Sequence, residues 1–297
     1  MISEPIPVLA VLLAVLVGLF GFANHPVGKR FFKVVPLLIF AYFVPAILSN
    51  TGVIPLDSSF PLYDFIKEWL LPASLILLTM SADIPAVLRV GRDMLTLFLA
   101  GTATIVIGGP LAYLALGWMV PAEMGDQAWK GLAALSGSWI GGGANFVAIG
   151  ESVGTSSSTL AMIVVIDVLL ANIWMAVLLF FSGHDKEMDA RIGADRNALE
   201  ELRKKSEQFQ LQVSRPATLP DLLAILCIAI GGTVIASELA GVTAPGLEKL
   251  VPAAADILGE FAWKIIFVTS IGVAISFTKL RNLEGAGASK IGTVMLY

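Results

Sequence analysis

The sequence predicts an all-α, polytopic membrane protein, and three observations carry that prediction. The 297 residues are 57% hydrophobic and only 14% charged, with a mean hydropathy of +0.84; soluble domains are about 45–50% apolar and about 25% charged. The apolar residues fall into long runs separated by polar connections. The charge bias of those connections changes from one to the next, as it does when a chain crosses a bilayer repeatedly. A water-filled surround cannot accommodate so much apolar surface, so the solvent is lipid.

The apolar runs, in order, cover about Ile6–Ala23, Phe31–Leu48 (with Pro36 and Pro45 inside), Trp69–Leu88 and Met94–Val120. Then come a glycine-rich segment, Gly131–Gly150, and further runs at about Thr159–Phe181, Leu219–Leu239 and Phe261–Thr278. Gly287–Tyr297 begins one more. The N-terminus, MISEPIP, lacks a basic stretch, so the first run reads as a retained span rather than a cleaved leader. Cys227 is the single cysteine and lies in an apolar run, so no disulfide forms within one chain. His25 and His184 are too far apart for a helical metal motif. There is no paired histidine, zinc motif or nucleophile–base pair, which argues against an enzyme. No cofactor is expected beyond a coupling ion, Na+ or H+, and no basic cluster indicates nucleic acid. The expected partners are the lipid bilayer, a small-molecule solute and a second copy in a homodimer.

Lys and Arg in short loops set orientation. Lys29, Arg30 and Lys33 place the first connection inside; Asp57, Asp64 and Glu68 against Lys67 place the next outside. Arg89 and Arg92 read as inside, and Glu123 and Asp126 against Lys130 as outside. From the other end, Lys279, Arg281 and Lys290 read as inside, and 240–260, with Glu248, Asp256 and Glu260 against Lys249, as outside. The polar stretch 182–218, with seven Lys and Arg, is then cytoplasmic. Its part from Asn197 has a helical pattern, with Glu200–Lys204 and Glu201–Lys205 pairs, and reads as a solvated linker helix. The two counts clash if Gly131–Gly150 and Thr159–Phe181 both cross. The simplest repair is that Gly131–Gly150 enters the membrane and returns to the same side. A re-entrant third span would misplace Arg89 and Arg92; an external long loop would break the charge rule.

This parity also inverts the second half. Residues 1–181 read as a first transmembrane repeat, 182–218 as a polar cytoplasmic linker, and 219–297 as the incomplete start of a second, truncated repeat. Inverted repeats with broken helices belong to secondary-transporter architecture.

The segment SGSWIGGGANFVAIG (Ser136–Gly150) is the main candidate site. Gly141, Gly142 and Gly143 each weaken a helix by about 1 kcal/mol relative to Ala and open the backbone. Such a break is tolerated where it lines a buried cavity, with helix ends and freed carbonyls offered to ions and substrates. Ser136, Ser138 and Asn145 add side-chain donors and acceptors. The plainer alternative is close helix packing through small residues. Asp167 is the one ionisable side chain in its run, and an intramembrane carboxylate marks an ion or proton path by default. Val164, Asp167, Ala171 and Trp174 share one helical face; Asn172 lies about 140° from Asp167 and joins it only if the helix is irregular. Glu151 can reach either the cavity or the interface, Trp139 can line a wall or pack, and Asp83 reads as interfacial.

The run GSWIGGGANFVAIGE (Gly137–Glu151), Asp167 in the following span, and GAGASKIGTVMLY (Gly285–Tyr297) together resemble the YjcL-like bacterial membrane proteins. That functionally uncharacterised family is grouped with the cation:proton antiporter and anion transporter superfamily. The resemblance implies inverted repeats, broken helices meeting at the membrane midplane, and an ion-coupling carboxylate in the span after the first break, a place that Asp167 fits. Members are usually longer and continue with more spans. The expectation is a secondary active transporter of the inner (plasma) membrane, with Ser136, Ser138, Gly141–Gly143, Asn145 and Asp167 at its substrate and ion site; Na+ at Asp167 is the sole metal considered. A passive channel and a non-transporting scaffold or sensor are the alternatives.

Overall fold

A computed structural model describes residues 2–32, 37–55, 60–82, 84, 92–182, 215–250 and 258–296. Among the described residues the chain is helical, with no strand. Four helices are long and apolar enough to cross a membrane, or five if one sharply bent pair counts as a single span. The chain is thus a multi-pass membrane protein. Asp83, Arg89 and the linker helix expected from Asn197 lie outside the described residues.

Helix α1 (Pro5–Asn24) opens on a proline, whose missing N–H costs nothing in a first turn. Helix α2 (Pro26–Phe31) follows at once: Val27 N–H donates to His25 Nδ1, and Gly28 lies so tightly against the Phe22 carbonyl that a Cβ there would overlap it. The expected span from Phe31 is therefore corrected. Phe31 closes this basic capping helix, and the apolar helix α3 runs Leu37–Asn50. After α4 (Pro61–Phe65) and one π-helical turn (Ile66–Leu70) comes α5 (Leu71–Met80), then α6 (Arg92–Leu116). Helices α7 (Gln127–Gly141), α8 (Gly143–Ser152) and α9 (Ser157–Ser182) carry the candidate site. Helix α10 (Leu219–Leu250) outlasts its expected end at Leu239. Hydropathy marks where hydrocarbon stops, whereas the backbone ladder continues. Helix α11 (Glu260–Ser276) is followed by a short 3-10 segment (Lys279–Ala286) bent 96° from it, and by α12 (Ala288–Leu296).

The packed centre is α5. Eight of its ten residues are buried, including Ala73, Leu75, Ile76, Leu77 and Met80. Helices α10, α11 and α12 close on it. Gly272 of α11 sits so near Thr79 and the Ile76 carbonyl that any side chain there would collide. Such close backbone approach holds helices together in lipid, where the hydrophobic effect between them is absent. A separate cluster of Ala134, Phe146, Leu160, Ile163, Val164 and Val168 joins α7, α8 and α9.

The two ends of the bundle collect different connections. At one end lie the start of α1 (Ile2 N–H donates to the Val53 carbonyl, 2.8 Å), Ile54, Leu62, the π-turn and the first turns of α11. At the other lie Ser81, the 3-10 segment and the start of α10, where Arg215 N–H donates to the Gly285 carbonyl (3.2 Å). Glu68 and Ser81 are thirteen residues apart along the chain, about 20 Å of helix. The first end holds connections that charge alone assigns outside and the second those it assigns inside. Helix α1 starts from the first of these ends and α10 from the second, so they run in opposite directions.

Candidate functional site

The glycine run ends one helix and starts another. Gly142 has φ +88° and ψ −173°, a conformation closed to residues with a Cβ except under strain, and it separates α7 from α8. Its N–H donates to the Ser138 carbonyl (2.7 Å), while its own carbonyl accepts from Asn145 N–H (3.0 Å) and Phe146 N–H (3.1 Å). In an unbroken helix Asn145 N–H would bond the Gly141 carbonyl, so the break redirects it.

The two arms fold back on each other. A Cβ at Gly150 would stand 3.5 Å from the Ala134 methyl, and one at Gly137 would stand 3.0 Å from the Asn145 carbonyl and 2.7 Å from Ile149 Cδ1. At the open ends, Ser156 N–H donates to Gln127 Oε1 (2.7 Å). Residues eight before and eight after Gly142 therefore touch, and the segment enters and leaves from the same end. The fold-back has the shape of the re-entrant hairpin that the charge count favours. Gly141 has a specific reason to be glycine: the Asn145 carboxamide occupies the space a Cβ would take. Asn145 thus lies across the break and covers the last turn of α7.

Asp167, about 15 Å along α9, meets this hairpin. Ser138 Oγ donates to Asp167 Oδ2 (2.6 Å) and Trp139 Nε1–H donates to Asp167 Oδ1 (2.8 Å). Consecutive residues on a helix lie about 100° apart, so Ser138 and Trp139 straddle the carboxylate, one on each oxygen. Both donors are neutral. Among the described residues no Lys or Arg pairs with Asp167. A carboxylate has about four acceptor sites, and these bonds fill two. Trp139 is 41% exposed and Gly141–Gly143 are exposed, so the tip is open on this face. The aligned carbonyls at the end of α7 add a partial negative charge beside Asp167, and the first N–H groups of α8 a partial positive one.

The other expected residues are placed apart. Ser136 donates to the Leu132 carbonyl (3.0 Å) and faces Gly109 of α6, because two helical residues lie about 200° apart. Asn172 Nδ2 donates to the Val168 carbonyl (2.7 Å), within its own helix. Glu151, at the open end of the hairpin, pairs with Lys67 (3.0 Å).

Two sites escaped sequence reasoning. Lys264 sits inside an apolar helix, 7% exposed, and its ammonium is bonded to Glu68. A cation in the first turns of α11 was the available signal. Glu284, in the bent segment, accepts three bonds: from Ser81 Oγ (2.6 Å), Ser289 Oγ (2.6 Å) and Ser289 N–H (3.0 Å). Nothing local in the sequence links it to Ser81, 203 residues away.

The family described as Protein of unknown function (DUF819) matches residues 8–297. The uncharacterized membrane protein YjcL of Bacillus subtilis (strain 168) is 29% identical over 136 residues, 45% of this chain and 31% of that protein. The chain thus spans about a third of the length of this curated relative. No solved structure matches it. The chain belongs to the DUF819 family.

Proposed function

We propose that this member of the DUF819 family is an ion-coupled secondary active transporter of the plasma membrane, moving a small solute through the site at the α7–α8 break. The observation that carries the reading is the Asp167 carboxylate, held on both oxygens by Ser138 and Trp139 of a glycine-broken hairpin. An unneutralised carboxylate inside an apolar helix is costly and calls for a cation or a proton. Here only neutral donors and a helix C-terminus attend it, so binding Na+ or H+ removes the cost. The N-terminal N–H groups of α8 lie at the same tip and favour a negatively charged group, which makes a small organic anion the favoured solute class.

The arms are about 22 Å and 15 Å long, so neither spans a hydrocarbon core of about 30 Å. A re-entrant element with its tip near the midplane fits those lengths. Exposed glycine backbone at that depth requires water or covering protein, as a substrate cavity supplies. The opposed directions of α1 and α10 support inverted repeats with the incomplete second one beginning at Leu219, and with them the resemblance to the cation:proton antiporter and anion transporter superfamily.

The test is uptake of a panel of labelled organic anions into proteoliposomes under an imposed Na+ or proton gradient. Gradient-dependent, saturable uptake that Asp167→Asn reduces to background supports the reading. Uptake that ignores the gradient and does not saturate identifies a passive channel instead.

A further inference from the structure

Two ion pairs of unequal character meet at the π-turn: one ties it to the end of the hairpin, the other to α11. Lys67 and Glu68 are consecutive residues of the π-helical turn. Lys67 reaches Glu151 in the last turn of α8 (3.0 Å), with side chains 40% and 29% exposed. Glu68, 43% exposed, reaches Lys264 of α11, whose side chain is 8% exposed, so only the ammonium of this pair is buried. Both ammonium groups lie over the ring of Phe261, at 5.2 Å and 5.9 Å from its centroid. Single π-turns inside helices recur at functional sites; this one aims neighbouring side chains at two different helices.

The pairs differ in how easily they open. Removing Glu68 would strand a buried ammonium, a strongly unfavourable outcome, so that pair is fixed. The Lys67–Glu151 pair is wetted on both sides, and exposed pairs contribute little and exchange readily with water. Beneath it, α8 packs through Ala148, 2% exposed, against Leu71, Leu75, Ile76, Ala236 and Val268. From α8 this contact involves only Ala144, Val147 and Ala148, so it separates without tearing out a large side chain.

We propose that Lys67–Glu151 is a releasable latch that holds α8 against the bundle, with Glu68–Lys264 as its fixed anchor. The latch rests on the transport reading for its purpose, but its opening is measurable without transport. In the full chain carrying Cys227→Ser, a reporter Ala148→Cys becomes reactive to a membrane-impermeant maleimide only when α8 lifts. Glu151→Gln and Lys67→Met each raise its labelling rate about two- to fivefold, in proportion to the weak pair removed. The exchanged pair Lys67→Glu with Glu151→Lys returns the rate to the parental value. Equal rates in all four proteins overturn the latch, and so does a charge exchange that fails to restore the rate. Thermal unfolding run in parallel identifies any variant whose labelling reflects global unfolding; the exchanged pair then decides. Loss of the transport reading, seen as ion responses indifferent to Asp167→Asn, would leave these labelling rates unchanged.

Discussion

Glu284 and Asp167 both accept hydroxyl hydrogen bonds beside helix breaks, and they are built differently. Glu284 lies in the bent 3-10 segment, takes two serine hydroxyls and one backbone N–H, and thereby ties α5 to the start of α12. Asp167 lies well inside α9, takes one hydroxyl and one indole N–H from a single arm of the hairpin, and keeps acceptor capacity facing an exposed glycine tip. Three of the roughly four acceptor sites of Glu284 are filled by groups that hold the fold. Asp167 is oriented but unfinished. A buried or membrane-embedded acid therefore signals function by what it still lacks, not by being acidic.

The largest expected effect separates the two directly. Asp167→Asn keeps the shape of the side chain, so the protein folds while gradient-driven uptake falls to background. Glu284→Gln does the reverse: uptake per folded molecule is retained, and stability falls by about 1 kcal/mol, because charge-assisted hydrogen bonds become neutral ones. Denaturant or thermal unfolding in detergent measures it. Equal transport defects in both variants would break the comparison.

The hairpin tip comes next. Gly142→Ala forces a Cβ into φ +88°, ψ −173° and costs about 1–3 kcal/mol. Gly141→Ala pushes the Asn145 carboxamide off the end of α7; crowding of this kind costs about 1–3 kcal/mol. Loss of ion response in Gly141→Ala with Asn145→Ala restoring it would sharpen the role of Asn145 as packing rather than ligation.

The smallest effect is at Lys130, which pairs with Asp126 (2.5 Å) at the start of α7. Its hydrogen bond holds the Asp126 carboxyl below the ordinary aspartate value. Whatever that pair contributes is present above the usual aspartate range and is lost as pH falls through the lowered value. Lys130→Met leaves unfolding at neutral pH unchanged within error, since the carboxylate is solvated.

Much of this was legible before any coordinates. The alternation of Lys and Arg between connections favours an even number of crossings from Gly131 to Gly150, and the fold-back at Gly142 is compatible with that parity. Asp167 was legible because no other charge shares its run. Helical geometry alone could also have separated Ser136 from Ser138, since residues two apart face opposite sides. What stayed hidden depends on contacts between distant segments. Ser81 with Glu284, and Lys67 with Glu151, are set by how the helices pack. Trp139 could equally have packed against lipid; only its position one residue past Ser138, on a helix meeting α9, turns its N–H onto Asp167.

The central claim is that Asp167 binds a coupling cation or proton. Charge displacement measures it without a known substrate: the chain, reconstituted on a solid-supported membrane, receives a rapid jump in Na+ or in proton concentration. The account predicts a transient current in the parental protein for one of these ions and none in Asp167→Asn. No transient in the parental protein for either ion, or an equal one in the variant, would contradict it.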